Sequence, residues 1–441
     1  MVIASHGKGS GLKFDYCYAG PTLRRPKFDM IKYWFTIALW KRVVLALVLG
    51  VLAGVLLGDN AQSIKWIGDL FIRSIKMLVV PLIFFSLVSG ITAIGDIGKL
   101  GSVGGKAIGL FLCTAAISVT LGMTLAQLVQ PGAGLTISLP EGSEIPVPPD
   151  QSVIDMIVNL VPDNPVMAMA QGSILPVIVF AVLFGISILA TGSEGAPLAR
   201  AMDAGSAVMQ KMTMIVMELT PFGVFALIAW VAGTFGFEAL LPLGKLVMLN
   251  YLGCGIILVI VYPLIIRFIA RLPVVDFYRG IIDAQAIAFS TASSNAALPV
   301  TLRCVERNLG VSNSIASFTV ALGATINMNG TAMYLGVIAL FGAQAYGIEL
   351  TWISYVLIAL TSTLGAIGAA GVPGSGLVMM SLVLSSIGVP LETIAFVAGI
   401  NHLLDMMRTM TNVTGDATVA VAVGRMAGEI DVEEYRSADD I

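Results

Sequence analysis

Residues 393–423 read TIAFVAGINHLLDMMRTMTNVTGDATVAVAV, an apolar stretch that carries charged side chains. At 100° per residue, its main polar positions fall within an arc of about 100° on one helix face. These positions, the polar stripe, are Asn401, Asp405, Arg408, Thr409, Asn412 and Asp416. Because a charge inside a bilayer costs roughly 2.5 kcal/mol or more, the polar stripe predicts a membrane helix that lines a polar site. Its charges suit a small zwitterion or anion, together with a cation.

The composition indicates a polytopic α-helical membrane protein. Of the 441 residues, 57% are hydrophobic and only 12% are charged, whereas a soluble globular chain has about 25% charged residues. Several apolar runs approach or exceed the roughly 20 residues that a spanning helix needs. The apolar runs show no long alternation of polar and apolar residues, which argues against a transmembrane β-barrel.

Apolar runs and charge predict how the chain is arranged. Basic residues dominate the first 42 positions, so the positive-inside rule predicts a cytoplasmic tail over residues 1–34. A loop over residues 131–152 is expected on the extracellular or periplasmic side, with a short interfacial helix within 153–170, and an acidic cytoplasmic tail over 429–441. Six ordinary spans are predicted over residues 43–57, 66–94, 106–129, 174–190, 207–235 and 243–270.

The last third of the chain behaves differently. Residues 277–301 and 351–391 each contain two short apolar arms around a small polar centre. They predict helical hairpins that enter and leave by one side, since irregular backbone at that depth must be covered by protein or water. A polar-spotted span, 315–343, follows the first hairpin, and the polar stripe follows the second. Broken segments in two corresponding positions indicate the binding site of a secondary transporter.

Two further patterns indicate how ligands would be held. Residues 323–331, GATINMNGT, form a poor helix, and local unwinding would free carbonyl oxygens for a hard cation. The alternative is a close helix-packing site built from small residues. At the hairpin tips, helix breaks expose N–H groups that attract anions. Residues 293–295 and 371–374 are candidates for this role.

On the polar stripe, Arg408 suits a carboxylate and Asp405, one turn away, suits an ammonium group. Asp416 lies about 16 Å further along the helix axis than Asp405, which suits a separate cation site. The alternative is a structural Asp405–Arg408 ion pair that locks two helices together. His402, beside the stripe, either relays protons or forms a hydrogen bond with a neighbour.

At these residues the chain resembles the glutamate transporter family, the dicarboxylate/amino acid:cation symporters. The similarity extends from about residue 43 to residue 428. It is most specific in STASSNAALPVT (290–301), GATINMNGT (323–331), AAGVPGSG (369–376) and DMMRTMTNVTGD (405–416).

The resemblance implies an all-α membrane protein of eight transmembrane helices and two re-entrant hairpins, assembled as a homotrimer in the inner or plasma membrane. A transporter domain over residues 35–428 would divide into two parts. A scaffold, 35–102 and 153–240, would hold the subunits together. A transport part, 103–130 and 241–428, would move like an elevator, with the second hairpin as the extracellular gate.

The resemblance also implies residue roles. Arg408 would bind the side-chain carboxylate of an acidic amino acid, and Asp405 its α-amino group. The other substrate contacts would come from Thr409, Asn412, Thr331, Ser293, Ser294, Val372 and Gly376. A sodium ion would use Asp416, Asn327, Gly323 and Asn412. The gate would contain Gly371, Pro373 and Gly374.

Departures from the family pattern concern the coupled ion. Asn329 stands where an acid commonly helps to hold a second sodium, and Thr114 lies among fewer oxygen-bearing neighbours than in relatives. Ala366 and Ala369 replace hydroxyl residues. We therefore expect weakened or lost ion sites at these four positions, and coupling to fewer sodium ions than in three-sodium relatives, or to protons.

Because the chain keeps both Asp405 and Arg408, we expect aspartate or glutamate as the substrate. Family members for C4-dicarboxylates tend to lack the acid at position 405. The alternative is a C4-dicarboxylate/proton symporter, for succinate, fumarate or malate, and a more remote one is an anion channel. No Ser/His, HExxH or Walker pattern indicates an enzyme, and no cofactor is expected.

Overall fold

A computed structural model describes residues 34, 36–92, 103–135, 158, 160–236, 240–369 and 371–437. This part of the chain is predominantly helical, with one isolated β-bridge between Val311 and Ile430. The predicted N-terminal tail as far as residue 33, most of the loop 131–152 and the last four residues lie outside the described residues.

The first half of the chain forms helices close to the predicted spans. They are α1 (Leu39–Leu57), α2 (Lys65–Thr92), α3 (Gly105–Val129), α4 (Pro165–Gln171), α5 (Ile174–Ala190), α6 (Ala196–Met217), α7 (Thr220–Thr234) and α8 (Leu240–Ala270). A 3₁₀ turn, Gly58–Ile64, joins α1 to α2. Helix α4 is the described part of the expected interfacial helix, and Asn164 caps its N-terminus.

The predicted span 207–235 differs from the structure in two respects. It is two helices, α6 and α7, bent by 49° at their junction, and Pro221 lies in the first turn of α7. Proline is tolerated there because the first N–H groups of a helix have no intrahelical partner. Helix α6 also begins eleven residues earlier than predicted, at Ala196, because Arg200 and Asp203 interrupt the apolar pattern there.

The remaining helices include two pairs at the positions of the predicted hairpins. They are α9 (Val274–Thr291), α10 (Ser294–Arg303), α11 (Asn313–Ile326), α12 (Asn329–Ala345), α13 (Trp352–Gly368), α14 (Ser375–Ser386), α15 (Thr393–Ala398), α16 (Asn401–Ala427) and α17 (Val432–Arg436). We call α9–α10 the first helix pair and α13–α14 the second, and in each pair the two arms pack against each other. The first pair is longer than the predicted 277–301, because polar residues such as Asp276 and Arg303 lie outside the apolar pattern.

Helices α11 and α12 form one span that is interrupted at Asn327 and Met328. Their φ/ψ angles of −93°/75° and −109°/61° are not helical, which confirms the predicted unwinding. Every residue of α12 except Gln344 is buried, because α3, α8, α13, α14 and α16 pack around it. The broken span therefore lies in the centre of the protein, where irregular backbone is covered.

Four described helices are long and apolar enough to cross a membrane, namely the run Leu39–Thr92, Gly105–Val129, Leu240–Ala270 and Asn313–Ala345. The bent pair α6–α7 makes a fifth if the two helices are counted as one span. The helix with the polar stripe, α16, is not among them, since its charged and amide side chains lower its hydropathy. The chain is thus a helical membrane protein with several spans.

The predicted acidic C-terminal tail begins with an ordered segment. Tyr435 in α17 is buried, and its hydroxyl donates to Pro273 O at 2.8 Å. Asp431 N donates to Gly310 O at 2.7 Å. Hydrogen bonds from Ser312 and Ser314 lower the pKa of the exposed Glu429 carboxyl. This segment therefore contacts the chain both before the first helix pair, at Pro273, and after it, at Gly310.

Close packing of α1 against α7 generates a stability prediction. A Cβ atom at Gly54 would lie 2.5 Å from Ala229 O and 2.7 Å from the Ala232 Cβ. We expect Gly54→Ala to lower the thermal unfolding temperature of the detergent-solubilised protein, since overpacking costs about 1–3 kcal/mol.

Gly109→Ala is the matched control, because Gly109 lies in a helix and, outside that helix's own backbone, no described atom is within 4 Å of its Cβ position. Alanine is the better helix former by about 1 kcal/mol, so this variant should be neutral or slightly more stable. Equal shifts in the two variants would contradict the packing of α1 against α7.

Candidate functional site

The centre of α16 holds a buried ion pair. Arg408 Nη2 donates to Asp405 Oδ1 at 2.8 Å and to Asn401 Oδ1 at 3.2 Å. Arg408 is 0% exposed and Asp405 5%. The two charges lie on one helix, three residues apart, and their other contacts, with Tyr334 and Gly374, link α16 to neighbouring elements. Removing each charge from water costs several kcal/mol, so the pair requires further partners.

Tyr334 of α12 is one such partner. The guanidinium carbon of Arg408 lies 3.9 Å from the centre of the Tyr334 ring, within the range of a cation–π interaction. The Tyr334 hydroxyl is 3.1 Å from Met380 Sδ and 3.4 Å from Asn401 Oδ1. In the described part of the chain, Nε and Nη1 of Arg408 have no hydrogen-bond partner. A buried guanidinium thus retains donors for an additional acceptor.

The second helix pair reaches the ion pair through its central loop. Gly374 N donates to Asp405 Oδ2 at 2.7 Å, and the φ of Gly374 is +82°, a conformation that favours glycine. Gly376 packs against Arg408 so closely that a Cβ atom would lie 2.4 Å from Nη1. Val372 is buried and Pro373 is half-buried. The predicted gate therefore lies directly against the ion pair.

The tips of the two helix pairs contact each other. Gly371 O accepts hydrogen bonds from Asn295 N at 3.0 Å and from Ser293 Oγ at 2.9 Å. Ser293 Oγ also accepts from Ala296 N and so caps α10, which begins at the buried Ser294. A cavity of about 390 Å³ with both polar and apolar walls borders this contact, and its walls include Asn295, Gly371, Ser86 and Asp203. The contact between the tips is thus next to a cavity that several polar side chains line.

Asp416 lies beside the break between α11 and α12. Asn327 Nδ2 donates to Asp416 Oδ1 at 2.8 Å, and a Cβ atom at Gly323 would lie 2.5 Å from the same oxygen. Helix α11 ends at this point, and its C-terminus carries a partial negative charge. Asn327 Oδ1 and Asn329 Oδ1 have no hydrogen-bond partner among the described residues, although both side chains are fully buried. Such oxygens are suitable ligands for a hard cation.

Asn412 connects the ion pair to the broken span. Its Oδ1 accepts from Gly330 N at 2.8 Å, and its Nδ2 lies 3.5 Å from Thr331 Oγ1. Thr409 is buried on the same helix. The structure therefore brings Asn412 and Thr331 together, between Arg408 on one side and Asp416 on the other.

The positions predicted as weakened ion sites offer few free side-chain oxygens. Thr114 Oγ1 lies 2.9 Å from Leu110 O and 3.0 Å from Phe111 O, so its hydroxyl hydrogen is used within α3. Ala366 and Ala369 are buried at the end of α13. Asn329 Nδ2 donates to the hydroxyl of Tyr262 at 2.9 Å.

Sequence reasoning missed Tyr334 and Tyr262, which contact the site from other helices. Their signal was a phenolic hydroxyl inside a strongly apolar helix, because a buried hydroxyl requires a partner. His402 is buried, and in the described structure neither of its ring nitrogens has a hydrogen-bond partner. The expected bond between His402 and a neighbour is therefore not seen.

Burial of the ion pair predicts a large stability effect. We expect Asp405→Asn to destabilise the protein by about 3 kcal/mol, because it leaves the Arg408 charge buried without a counter-ion. Thermal unfolding in detergent measures this change.

Glu218→Gln serves as the control, because it removes the Arg42–Glu218 ion pair, in which the Arg42 side chain is 4% exposed and the Glu218 side chain 41%. Solvent reaches the Glu218 carboxylate of this pair but hardly reaches either side chain of the Asp405–Arg408 pair, so the loss should be smaller. Equal losses would mean that burial does not determine the importance of the Asp405–Arg408 pair.

Known relatives cover nearly the whole chain. Residues 39–426 match the sodium:dicarboxylate symporter family. The chain is 37% identical over 410 residues to the proton/glutamate-aspartate symporter of Escherichia coli (strain K12), which covers 88% of this chain and 93% of the relative. It is 33% identical over 403 residues to the proton/sodium-glutamate symport protein of Geobacillus stearothermophilus (89% and 95%).

It is also 33% identical over 407 residues to a C4-dicarboxylate transport protein of Pseudomonas savastanoi pv. phaseolicola, which covers 91% of this chain and 88% of the relative. These matches confirm the resemblance that the four motifs indicated. The chain therefore belongs to the sodium:dicarboxylate symporter family, whose members are transport proteins and not enzymes.

Proposed function

We propose that this protein is a cation-coupled secondary active symporter of an acidic amino acid, aspartate or glutamate. The observation that carries the proposal is the buried Asp405–Arg408 pair, in which Arg408 retains unpartnered donors. A carboxylate suits these donors and an ammonium group suits Asp405, so an amino acid with a second carboxylate matches the charges of the site. The name of the Escherichia coli relative, a proton/glutamate-aspartate symporter, supports this choice.

Substrate binding would be linked to the second helix pair. An incoming ammonium group competes with Gly374 N for Asp405 Oδ2, which now accepts that N–H at 2.7 Å. The loop that contains Gly371, Pro373 and Gly374 would therefore change its contacts whenever the substrate enters or leaves. This competition supports a gate formed by the second pair, and the family resemblance implies that this gate is a re-entrant hairpin on the extracellular side.

The remaining substrate contacts would surround the α-carboxylate. Helices α10 and α14 begin near the tip contact, and helix N-termini attract anions. These contacts would come from side-chain and backbone groups of Ser293, Ser294, Val372, Gly376, Thr331, Thr409 and Asn412.

A cation would bind beside the helix break. Asp416 supplies the negative charge, and Asn327, Gly323 and Asn412 lie around the break with oxygen ligands of the kind that sodium prefers. Asn329, where relatives commonly carry an acid, adds no charge, and Ala366 and Ala369 add no hydroxyl. Coupling to fewer sodium ions than in three-sodium relatives follows, or coupling to protons, and the names of relatives include both ions.

The proposed transport cycle uses eight spans, two re-entrant hairpins and an elevator movement. A scaffold, residues 35–102 and 153–240, would hold a homotrimer together, and residues 103–130 and 241–428 would move. Helix α1 supports this division because it exposes a row of apolar side chains, including Leu49, Leu52 and Leu56, which suits lipid or a neighbouring subunit. The protein would lie in the cell membrane with both termini on the cytoplasmic side. The basic N-terminal segment supports this orientation.

A second candidate is a C4-dicarboxylate/proton symporter. The relative from Pseudomonas savastanoi, named a C4-dicarboxylate transport protein, favours it. Asp405 argues against it, since a carboxylate in place of the ammonium group would meet a like charge.

Uptake by proteoliposomes tests the proposed function. We expect labelled aspartate or glutamate to accumulate against its gradient when an inward sodium or proton gradient is imposed, and succinate to accumulate much less. Separate gradients identify the ion, because uptake that persists with no sodium on either side eliminates obligatory sodium coupling. Equilibration without accumulation would contradict a symporter and favour a channel.

Asp405→Asn tests the choice of substrate. Loss of the charged partner should weaken aspartate binding by about 10- to 100-fold, whereas succinate, which has no ammonium group, should lose far less. Calorimetric titration of the purified variant gives both affinities, and their ratio is insensitive to a general loss of stability. Equal losses for the two ligands would refute the role of Asp405.

A further inference from the structure

Tyr262 connects three helices at the proposed cation site. It lies in α8, is 0% exposed, and donates its hydroxyl hydrogen to Thr411 O in α16 at 3.0 Å. The same hydroxyl oxygen accepts Asn329 Nδ2 from α12 at 2.9 Å. Neither the predicted site nor the proposed function uses this residue.

The direction of these hydrogen bonds determines how the Asn329 amide is oriented. A carbonyl oxygen only accepts, so the single Tyr262 hydroxyl hydrogen is used by Thr411 O. The hydroxyl oxygen can then only accept from Asn329, which fixes the NH₂ group toward Tyr262. The Asn329 carbonyl oxygen consequently faces the opposite way, and no described residue donates to it.

Asn327 is oriented by the same logic. An ionised Asp416 carboxylate only accepts, so it holds the NH₂ group of Asn327 at 2.8 Å. The Asn327 carbonyl oxygen is likewise left without a donor among the described side chains and backbone. Two buried amides, one within the helix break and one directly after it, are therefore held with their oxygens free.

Gly415 shows that these groups converge. A Cβ atom at Gly415 would lie 2.5 Å from the Tyr262 hydroxyl oxygen and 2.6 Å from Asn327 Nδ2. Both groups therefore pack over the residue that precedes Asp416. The Tyr262 hydroxyl belongs to the same buried cluster as the Asp416 carboxylate, although it lies on a different helix.

We propose that Tyr262 is a positioning residue for the transported cation, and that it holds the Asn329 amide with its oxygen, rather than its NH₂ group, toward the ion. The inference rests on the proposed cation coupling and deepens it. Without the hydroxyl, the amide can rotate and present N–H donors, which repel a cation. In this chain, where position 329 carries no charge, the orientation of a neutral amide determines whether that position assists sodium binding.

Tyr262→Phe and Tyr251→Phe form a matched pair of variants. Both tyrosines lie in α8 and donate to a backbone oxygen of α16, Thr411 O for Tyr262 and Leu403 O at 3.0 Å for Tyr251. Of the two, only Tyr262 has a hydrogen bond with Asn329. The pair therefore separates loss of an interhelical hydrogen bond from loss of amide orientation.

The readout is the sodium dependence of aspartate binding to the purified full-length protein. Calorimetric titrations are performed at several sodium concentrations, with choline chloride maintaining the ionic strength. We expect Tyr262→Phe to raise the half-saturating sodium concentration about five- to tenfold, as the loss of one buried hydrogen bond implies. Aspartate affinity at saturating sodium should remain unchanged, and Tyr251→Phe should resemble the unmodified protein. Equal sodium dependence in the two variants would overturn the inference.

Substitutions at position 329 test the same inference even if the Tyr262→Phe variant does not fold. Asn329→Ala removes the oxygen itself and should shift the sodium dependence at least as much as Tyr262→Phe. In an Asn329→Ala background no amide remains to be oriented, so Tyr262→Phe should have no additional effect. A persistent effect in that background would overturn the inference. Aspartate binding by the unmodified protein that is independent of sodium would instead refute the proposed sodium site itself.

Discussion

Burial of charge on α16 is the constraint on which the rest of the structure depends. Asp405, Arg408 and Asp416 are each at most 5% exposed, and no bilayer or apolar core stabilises such groups without partners. The partners are backbone and amide groups supplied by breaks in neighbouring helices: Gly374 N for Asp405, and the side chain of Asn327 for Asp416. The helix breaks and the charged helix therefore require each other.

The same constraint explains why the broken span is central. Unwound backbone at Asn327 and Met328 leaves polar groups that lipid cannot satisfy, and α12 is accordingly enclosed on all sides. Gly330 N, at the start of α12, donates to Asn412 on α16. Glycines at 323, 330 and 376 permit these approaches, since a Cβ atom at any of them would lie within 2.6 Å of an atom of α16.

The order of polar and apolar residues along the chain predicted those features that are visible within a single helix. The polar stripe, the break at residues 327–328 and the two helix pairs were readable because each one interrupts an apolar helix. The start of α6 was not, because Arg200 and Asp203 resemble the end of a span. Tyr334 and Tyr262 were not, because their partners, Arg408 and Thr411, lie 74 and 149 residues away. A single sequence gives no information about which helices meet across such distances.

The two proposed ligand sites share their supporting helices, and this sharing provides a physical route for coupling. Arg408 and Asp416 lie on α16, about 12 Å apart along the axis. Between them, Asn412 contacts Gly330 and Thr331 of α12. A cation that draws the oxygens of the helix break toward Asp416 would also fix the start of α12, and with it Tyr334, which packs on Arg408. An ion bound at one end would thus order the side chains that receive the substrate at the other, without any movement of α16.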